Sequence, residues 1–175
     1  MINQHLVIIG FMGSGKTTVA RALARALNCR AIDLDRHITD SEQRTPKQII
    51  DQDDEDRFRE IETELLRTVL DGEIGSVIAA GGGAWTIAEN RQLIAGHGAA
   101  AIWLDAPFEL CWQRIEAGGD TRPLAPSREI AKKLYEERRP FYELAGTRIV
   151  VSETRSAEDI AKEIADALLR QRTDN

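Results

Sequence analysis

Leu6 to Thr18 read LVIIGFMGSGKTT. Four apolar residues, Leu6 to Ile9, lead into a turn punctuated by glycine, and an alanine-rich stretch from Lys16 to Leu27 leads out of it. From Gly10 to Thr17 the spacing is a complete G-x-x-x-x-G-K-T phosphate loop, set between a strand and a helix as its mechanism requires. Gly10, Gly13 and Gly15 allow the tight turn and the close backbone approach that a Cβ atom would obstruct. The backbone of Gly13, Ser14, Gly15 and Thr18, at a helix N-terminus, then surrounds the phosphates of a nucleotide. Lys16 is expected to reach the β- and γ-phosphates, and the Thr17 hydroxyl to ligate Mg²⁺. A chance glycine turn followed by Lys-Thr would explain the loop alone. It would not explain the strand before it and the helix after it.

The remaining composition narrows the class. At 175 residues the chain is expected to form a single domain, 1–175, large enough for a buried core. A net charge of −6 argues against general binding to nucleic acid, which favours a basic surface. No stretch approaches the roughly 18 apolar residues that span a bilayer. The start Met1 to His5 lacks a basic leader, so the reading predicts a cytoplasmic protein away from membranes. Cys29 and Cys111 lie far apart without metal-type spacing and are expected to be reduced, buried thiols.

Short apolar runs alternate with amphipathic ones along the chain. Strands are expected at Leu6–Ile9, Ala31–Leu34, Val77–Ala80, Ala100–Leu104 and Arg148–Val151. Helices are expected at Lys16–Leu27, Arg57–Leu70, Ala88–Ala95, Pro107–Ile115, Ser127–Leu144 and Ala157–Arg170. That alternation predicts an α/β domain with a parallel sheet covered on both faces. Two stretches break it: the charged run Asp51–Arg59, read as a turn into a helix, and Gly118–Arg128, whose glycines and prolines read as a mobile surface segment.

In such sheets ligands gather at the carboxyl ends of the strands. The second strand delivers Asp33 and Asp35, expected to point the same way from an extended segment. One could support Mg²⁺ while the other orients or deprotonates an attacking hydroxyl, although a helix cap at Asp35 is the plainer use. The third strand delivers Gly81, Gly82 and Gly83, more glycine than one turn demands, as if backbone approached a ligand closely. Arg59 follows Phe58 on a face made by Phe58, Ile61, Glu62, Leu65 and Leu66; an ion pair with Glu55 or Glu62 at the surface would use it without function. Arg138 and Arg139 precede Pro140, and Arg122 lies in the Gly/Pro segment. A lid arginine closing on a transferring phosphate would stabilise its charge.

Together these motifs resemble the shikimate kinases. The likeness runs through GFMGSGKTT, the Asp33-Leu34-Asp35 stretch, FREIE at Phe58–Glu62, the glycine run, Arg122-Pro123-Leu124 and the stretch from Arg138 to Tyr142. The resemblance implies a three-layer phosphate-loop fold with a five-stranded parallel sheet in the order 2-3-1-4-5. It implies a monomer that transfers the ATP γ-phosphate to the 3-hydroxyl of shikimate with Mg²⁺. Carried over by position, Lys16, Asp35 and Arg122 would be catalytic, and Thr17 and Asp33 would hold the metal. Arg59, Arg138 and the backbone of Gly81–Gly83 would bind the acceptor, with Asp35 on its hydroxyls. Arg114 would lie beside adenine. A helical region at about 35–62 would hold substrate and a lid at about 116–128 would close over it. Trp85, following the glycine run, is expected to narrow the acceptor pocket. A kinase of another small hydroxy acid such as gluconate, or a nucleotide-binding regulator that has lost catalysis, are the competing readings.

Overall fold

The computed structural model describes residues 2–72, 75–118 and 124–173. Its centre is a parallel sheet of β1 (Leu6–Ile9), β2 (Arg30–Asp33), β3 (Ser76–Ala79), β4 (Ala100–Asp105) and β5 (Thr147–Val150), in the order β2-β3-β1-β4-β5. Leu6 stands opposite Val77 on one side and Ala100 on the other. β1 and β3 are buried along their whole length, which is why LVII and SVIA carry almost no polar alternation. The edge strands β2 and β5 are partly exposed and carry Arg30 and Arg148.

Helices flank the sheet as a three-layer α/β arrangement. α1 (Lys16–Leu27) turns Val19, Ala20 and Leu23 to the core and packs on α8 (Ala157–Thr173). It stops at Asn28, a left-handed residue whose N–H closes the last turn. α4 (Glu55–Leu70) packs against α5 (Ala88–Gly96), while α6 (Phe108–Ala117) packs against α7 (Arg128–Tyr142). Among the described residues no helix is long and apolar enough to cross a membrane.

Two helices lie where periodicity alone left the chain unassigned: α2 (Leu34–Glu42) and α3 (Pro46–Gln52). They pack on α4 through a small separate cluster of Ile38, Ile49, Phe58 and Ile61. α3 begins with a capping box, Thr45 accepting from the Gln48 N–H and Gln48 from that of Thr45. The charged run from Asp51 is therefore the end of α3, a turn at Asp53, and the Asp54 cap of α4. The pairing of Asp33 with Asp35 also needs correction. β2 ends at Asp33 and α2 starts at Leu34, so the two carboxylates are not alternate residues of an extended strand. Asp33, not Asp35, is the helix cap, and its side chain accepts from the Arg36 N–H.

Candidate active site

The phosphate loop joins the end of β1 to the start of α1. Gly13 has φ +77°, and a Cβ there would stand 2.5 Å from the carbonyl oxygen of Cys111. Glycine is needed for both reasons. Gly15 is the N-cap of α1 and offers no side-chain acceptor, so the first N–H groups of that helix face the loop without a cap. Lys16 lies back across the loop, its ammonium donating to the carbonyls of Gly10 at 3.0 Å and Phe11 at 2.9 Å. The Thr17 hydroxyl donates to Asp33 Oδ2 at 2.6 Å. Gly13, Gly15, Lys16, Thr17 and Asp33, with Thr18 and Arg114, line a cavity of about 290 Å³. Arg114 reaches it from α6 and donates to the Gly13 carbonyl at 3.3 Å.

A second, smaller cavity of about 80 Å³ adjoins it, lined by Phe58, Arg59, Glu62, Arg138 and the glycine run. Met12, Asp35 and Gly82 line both spaces. Although the extended geometry expected for Asp33 and Asp35 is absent, the strand-to-helix turn still brings both carboxylates to the nucleotide cavity, and Asp35 alone of the two reaches the second.

The glycine run has a cause that sequence reasoning placed elsewhere. None of Gly81, Gly82 and Gly83 has a positive φ. A Cβ on Gly81 would fall on the Glu62 carboxylate, and one on Gly83 on the Arg59 guanidinium. The close neighbours are the site's own charged side chains.

Arg59 is held by Glu62 Oε2 at 2.7 Å and by Glu55 Oε1 at 3.0 Å, and it lies against the Phe58 ring. This is no surface ion pair, because Glu62 is fully buried. Burial pulls the Arg59 guanidinium down, but the carboxylates of Glu62 and Glu55 overcome it and hold the group above its ordinary value. Burial dominates at Glu62 and pushes its carboxyl up, with Arg59 opposing and Asp35 adding to the rise. Arg138 is buried as well, and that burial lowers its guanidinium, opposed by Tyr142 and reinforced by Arg59. Two cations thus face one small space, an arrangement that suits a carboxylate.

Met12 and Glu62 line the site, although reading for motifs assigned Met12 no role of its own and Glu62 only that of a surface partner for Arg59. Glu62 had a signal, since a carboxylate on the apolar face with Phe58, Ile61 and Leu66 must find a partner inside. Met12 had none beyond its place in the loop. Trp85 does not line the acceptor space: it is buried in the core, its indole N–H donating to the Phe141 carbonyl at 2.8 Å. Arg139 is turned away from the site toward Asp105, which it meets at 2.7 Å. Cys111 is buried and Cys29 half-buried, and both are free thiols. Arg122 lies outside the described residues, as does the 119–123 stretch of the proposed lid; Leu124, the first described residue after that stretch, lines the acceptor space.

Comparison with known proteins identifies the family. A family model described as shikimate kinase matches residues 12–169. The shikimate kinase of Persephonella marina is 36% identical over 162 residues, covering 92% of this chain and 96% of the relative. That of Ruegeria pomeroyi is 34% identical over 170 residues, covering 95% and 86%. The solved shikimate kinase from Acinetobacter baumannii, in complex with shikimate, superposes with a TM-score of 0.88 at 31% identity, covering 96% of this chain and 94% of that one. A sugar kinase from Janibacter, at 20% identity and a TM-score of 0.60, shares the fold alone. By the length of the family match and the identity of these relatives, the chain belongs to the shikimate kinase family.

Proposed function

We propose that the chain transfers the γ-phosphoryl group of ATP to the 3-hydroxyl of shikimate, giving shikimate 3-phosphate and ADP. The support is the shared wall of the two cavities. Met12, Asp35 and Gly82 border both, so a hydroxyl held on the acceptor side faces a phosphate held by the loop. The acceptor's carboxylate sits between Arg59 and Arg138, whose remaining N–H groups form planar forks suited to it. The backbone of Gly81–Gly83 lines the same space.

In the transfer step the acceptor oxygen forms a bond to the γ-phosphorus as the bond to the β-phosphate oxygen breaks. Asp35, among the described residues the one carboxylate facing both cavities, orients the hydroxyl and takes its proton. Lys16 leaves the loop carbonyls to meet the β- and γ-phosphate oxygens, and the loop N–H groups hold the rest of the chain of phosphates. Arg114, on the rim, lies beside adenine. Thr17 and Asp33 present hard oxygen donors on one wall, which fits Mg²⁺ held directly or through water, the ion supplying neutralisation of phosphate charge. Among the described residues no group of three or more His, Cys, Asp or Glu could hold a metal ion.

The test is coupled ADP release with Mg-ATP and a panel of shikimate and gluconate, repeated for Asp35→Asn. Release that depends on shikimate and falls about 10²- to 10⁴-fold in the variant is expected. Turnover of gluconate without shikimate would overturn the acceptor assignment, and unchanged turnover in Asp35→Asn would remove that residue from its role.

A further inference from the structure

The glycine run and the arginine of α7 belong to different parts of the chain, yet both border the acceptor space. Three contacts join them. The Tyr142 hydroxyl donates to the Gly82 carbonyl at 2.5 Å. The Trp85 indole N–H donates to the Phe141 carbonyl at 2.8 Å, one of the last carbonyls of α7, which also accepts from the Leu144 N–H at 3.1 Å. Arg91 donates to the carbonyls of Trp85 at 2.7 Å and Thr86 at 2.9 Å while its guanidinium lies over the Phe141 ring.

Tyr142 stands four residues after Arg138, on the same face of α7. Its ring is buried and stacks on Trp103 with centroids 6.1 Å apart. A phenol that donates to Gly82 keeps lone pairs for a donor, and the Arg138 guanidinium lies beside it. Gly82 is close to Arg138 too, for a Cβ there would stand 3.5 Å from Arg138 Nη1. Burial pushes the Tyr142 phenol far up, so it stays a donor throughout the working pH range.

We propose that Tyr142 and Trp85 are positioning residues of the acceptor side: their hydrogen bonds fasten the Gly81–Gly83 turn to the end of α7 and set Arg138 and the Gly82 backbone at the spacing the acceptor needs. Neither touches the acceptor. Trp85 lines neither cavity, and Tyr142 acts through Gly82 and Arg138. The role rests on shikimate being the acceptor, because its carboxylate is what Arg138 would meet.

Tyr142→Phe and Trp85→Phe each remove one donor while keeping a ring in the core. KM for shikimate, KM for Mg-ATP, kcat and Tm are measured for both variants and the wild type. A rise of about fivefold to tenfold in the shikimate KM, with the Mg-ATP KM within about twofold, is expected in each. If one variant does not fold, the other carries the same test. A lowered Tm with an unchanged shikimate KM, or a parallel rise in both KM values, overturns the positioning role. Absence of shikimate turnover in the wild type overturns instead the function on which it rests.

Discussion

Gly83→Ala isolates the contact between the glycine run and the acceptor arginine. Gly83 has φ −102° and ψ −13°, a conformation alanine adopts freely, so backbone strain does not enter. The new methyl carbon would stand 2.6 Å from Arg59 Cζ, where ordinary contacts begin at 3.4 Å. The guanidinium must retreat by about 1 Å, because its Nη2 would lie nearer still than Cζ and a packed site does not absorb an added methyl elsewhere. Such a shift stretches its 2.7 Å bond to Glu62 past hydrogen-bonding range and moves the fork off the acceptor carboxylate. One hydrogen bond to a charged group contributes about 1.5–3 kcal/mol. The shikimate KM should therefore rise about 10- to 150-fold. The Mg-ATP KM should hold, since Gly83 does not line the nucleotide cavity. Gly96→Ala is the control, because a Cβ there meets nothing within 4 Å. The assay is coupled ADP release with each substrate varied in turn. A shikimate KM within twofold of wild type in Gly83→Ala would refute the steric reasoning.

Lys16→Ala should reduce transfer at least about 10³-fold while shikimate binding by calorimetry persists, and joint loss would show that the two cavities are not separable. Asp105→Asn should lower stability by about 2 kcal/mol, because Asp105 is buried and joined to Arg139 at 2.7 Å and Arg148 at 2.9 Å, whose own exposure moderates the loss. That corresponds to a Tm lower by about 4–8 °C by calorimetry. The two arginines outweigh burial and hold the Asp105 carboxyl below its usual range, so its contribution is present above the ordinary carboxylate pKa. It fades as pH falls through the lowered folded value, and the gap between wild type and variant should close there. Glu62 has the opposite sign: its pKa is raised on folding, so stability declines as pH rises from the ordinary carboxylate range through the folded value. The same rise restores the charge that holds Arg59. In a pH profile of kcat/KM for shikimate, the acidic limb should therefore lie above the ordinary carboxylate range and be absent in Glu62→Gln; its persistence there would assign it to another group.

Much of the sheet could be read because parallel strands buried on both faces are nearly unbroken apolar runs. LVII and SVIA leave little ambiguity, and the loop between β1 and α1 is specified residue by residue. α2 and α3 escaped because each turns only one or two side chains inward, Leu34 and Ile38 in one and Ile49 in the other. That is too few for a periodic signal, although Thr45-Pro46 with Gln48 marks the start of α3 clearly enough. The position of Asp35 depended on whether the chain stayed extended for two residues after Ile32, and a carboxylate at Asp33 that can cap a helix decides it. Trp85 was misplaced because adjacency to a glycine run does not give direction. Its indole follows the turn away from the cavity, and only the approach of Phe141 from 56 residues on explains where it goes.

The strand order carries a consequence for how the chain is made. β1 finds its neighbours only in β3 and β4, and β2 finds one only in β3. A nascent chain ending before Ser76 thus holds two strands and no strand pair. The apolar Leu6–Ile9 run must wait with both edges open, the state in which incomplete chains associate wrongly. α1 waits longer still, since α8 arrives last from the far end. The nucleotide loop is written first, yet the walls that hold it in shape are synthesised after it, and pairing across such separations is slow. Birth of the binding site is therefore timed by translation of the second half of the chain.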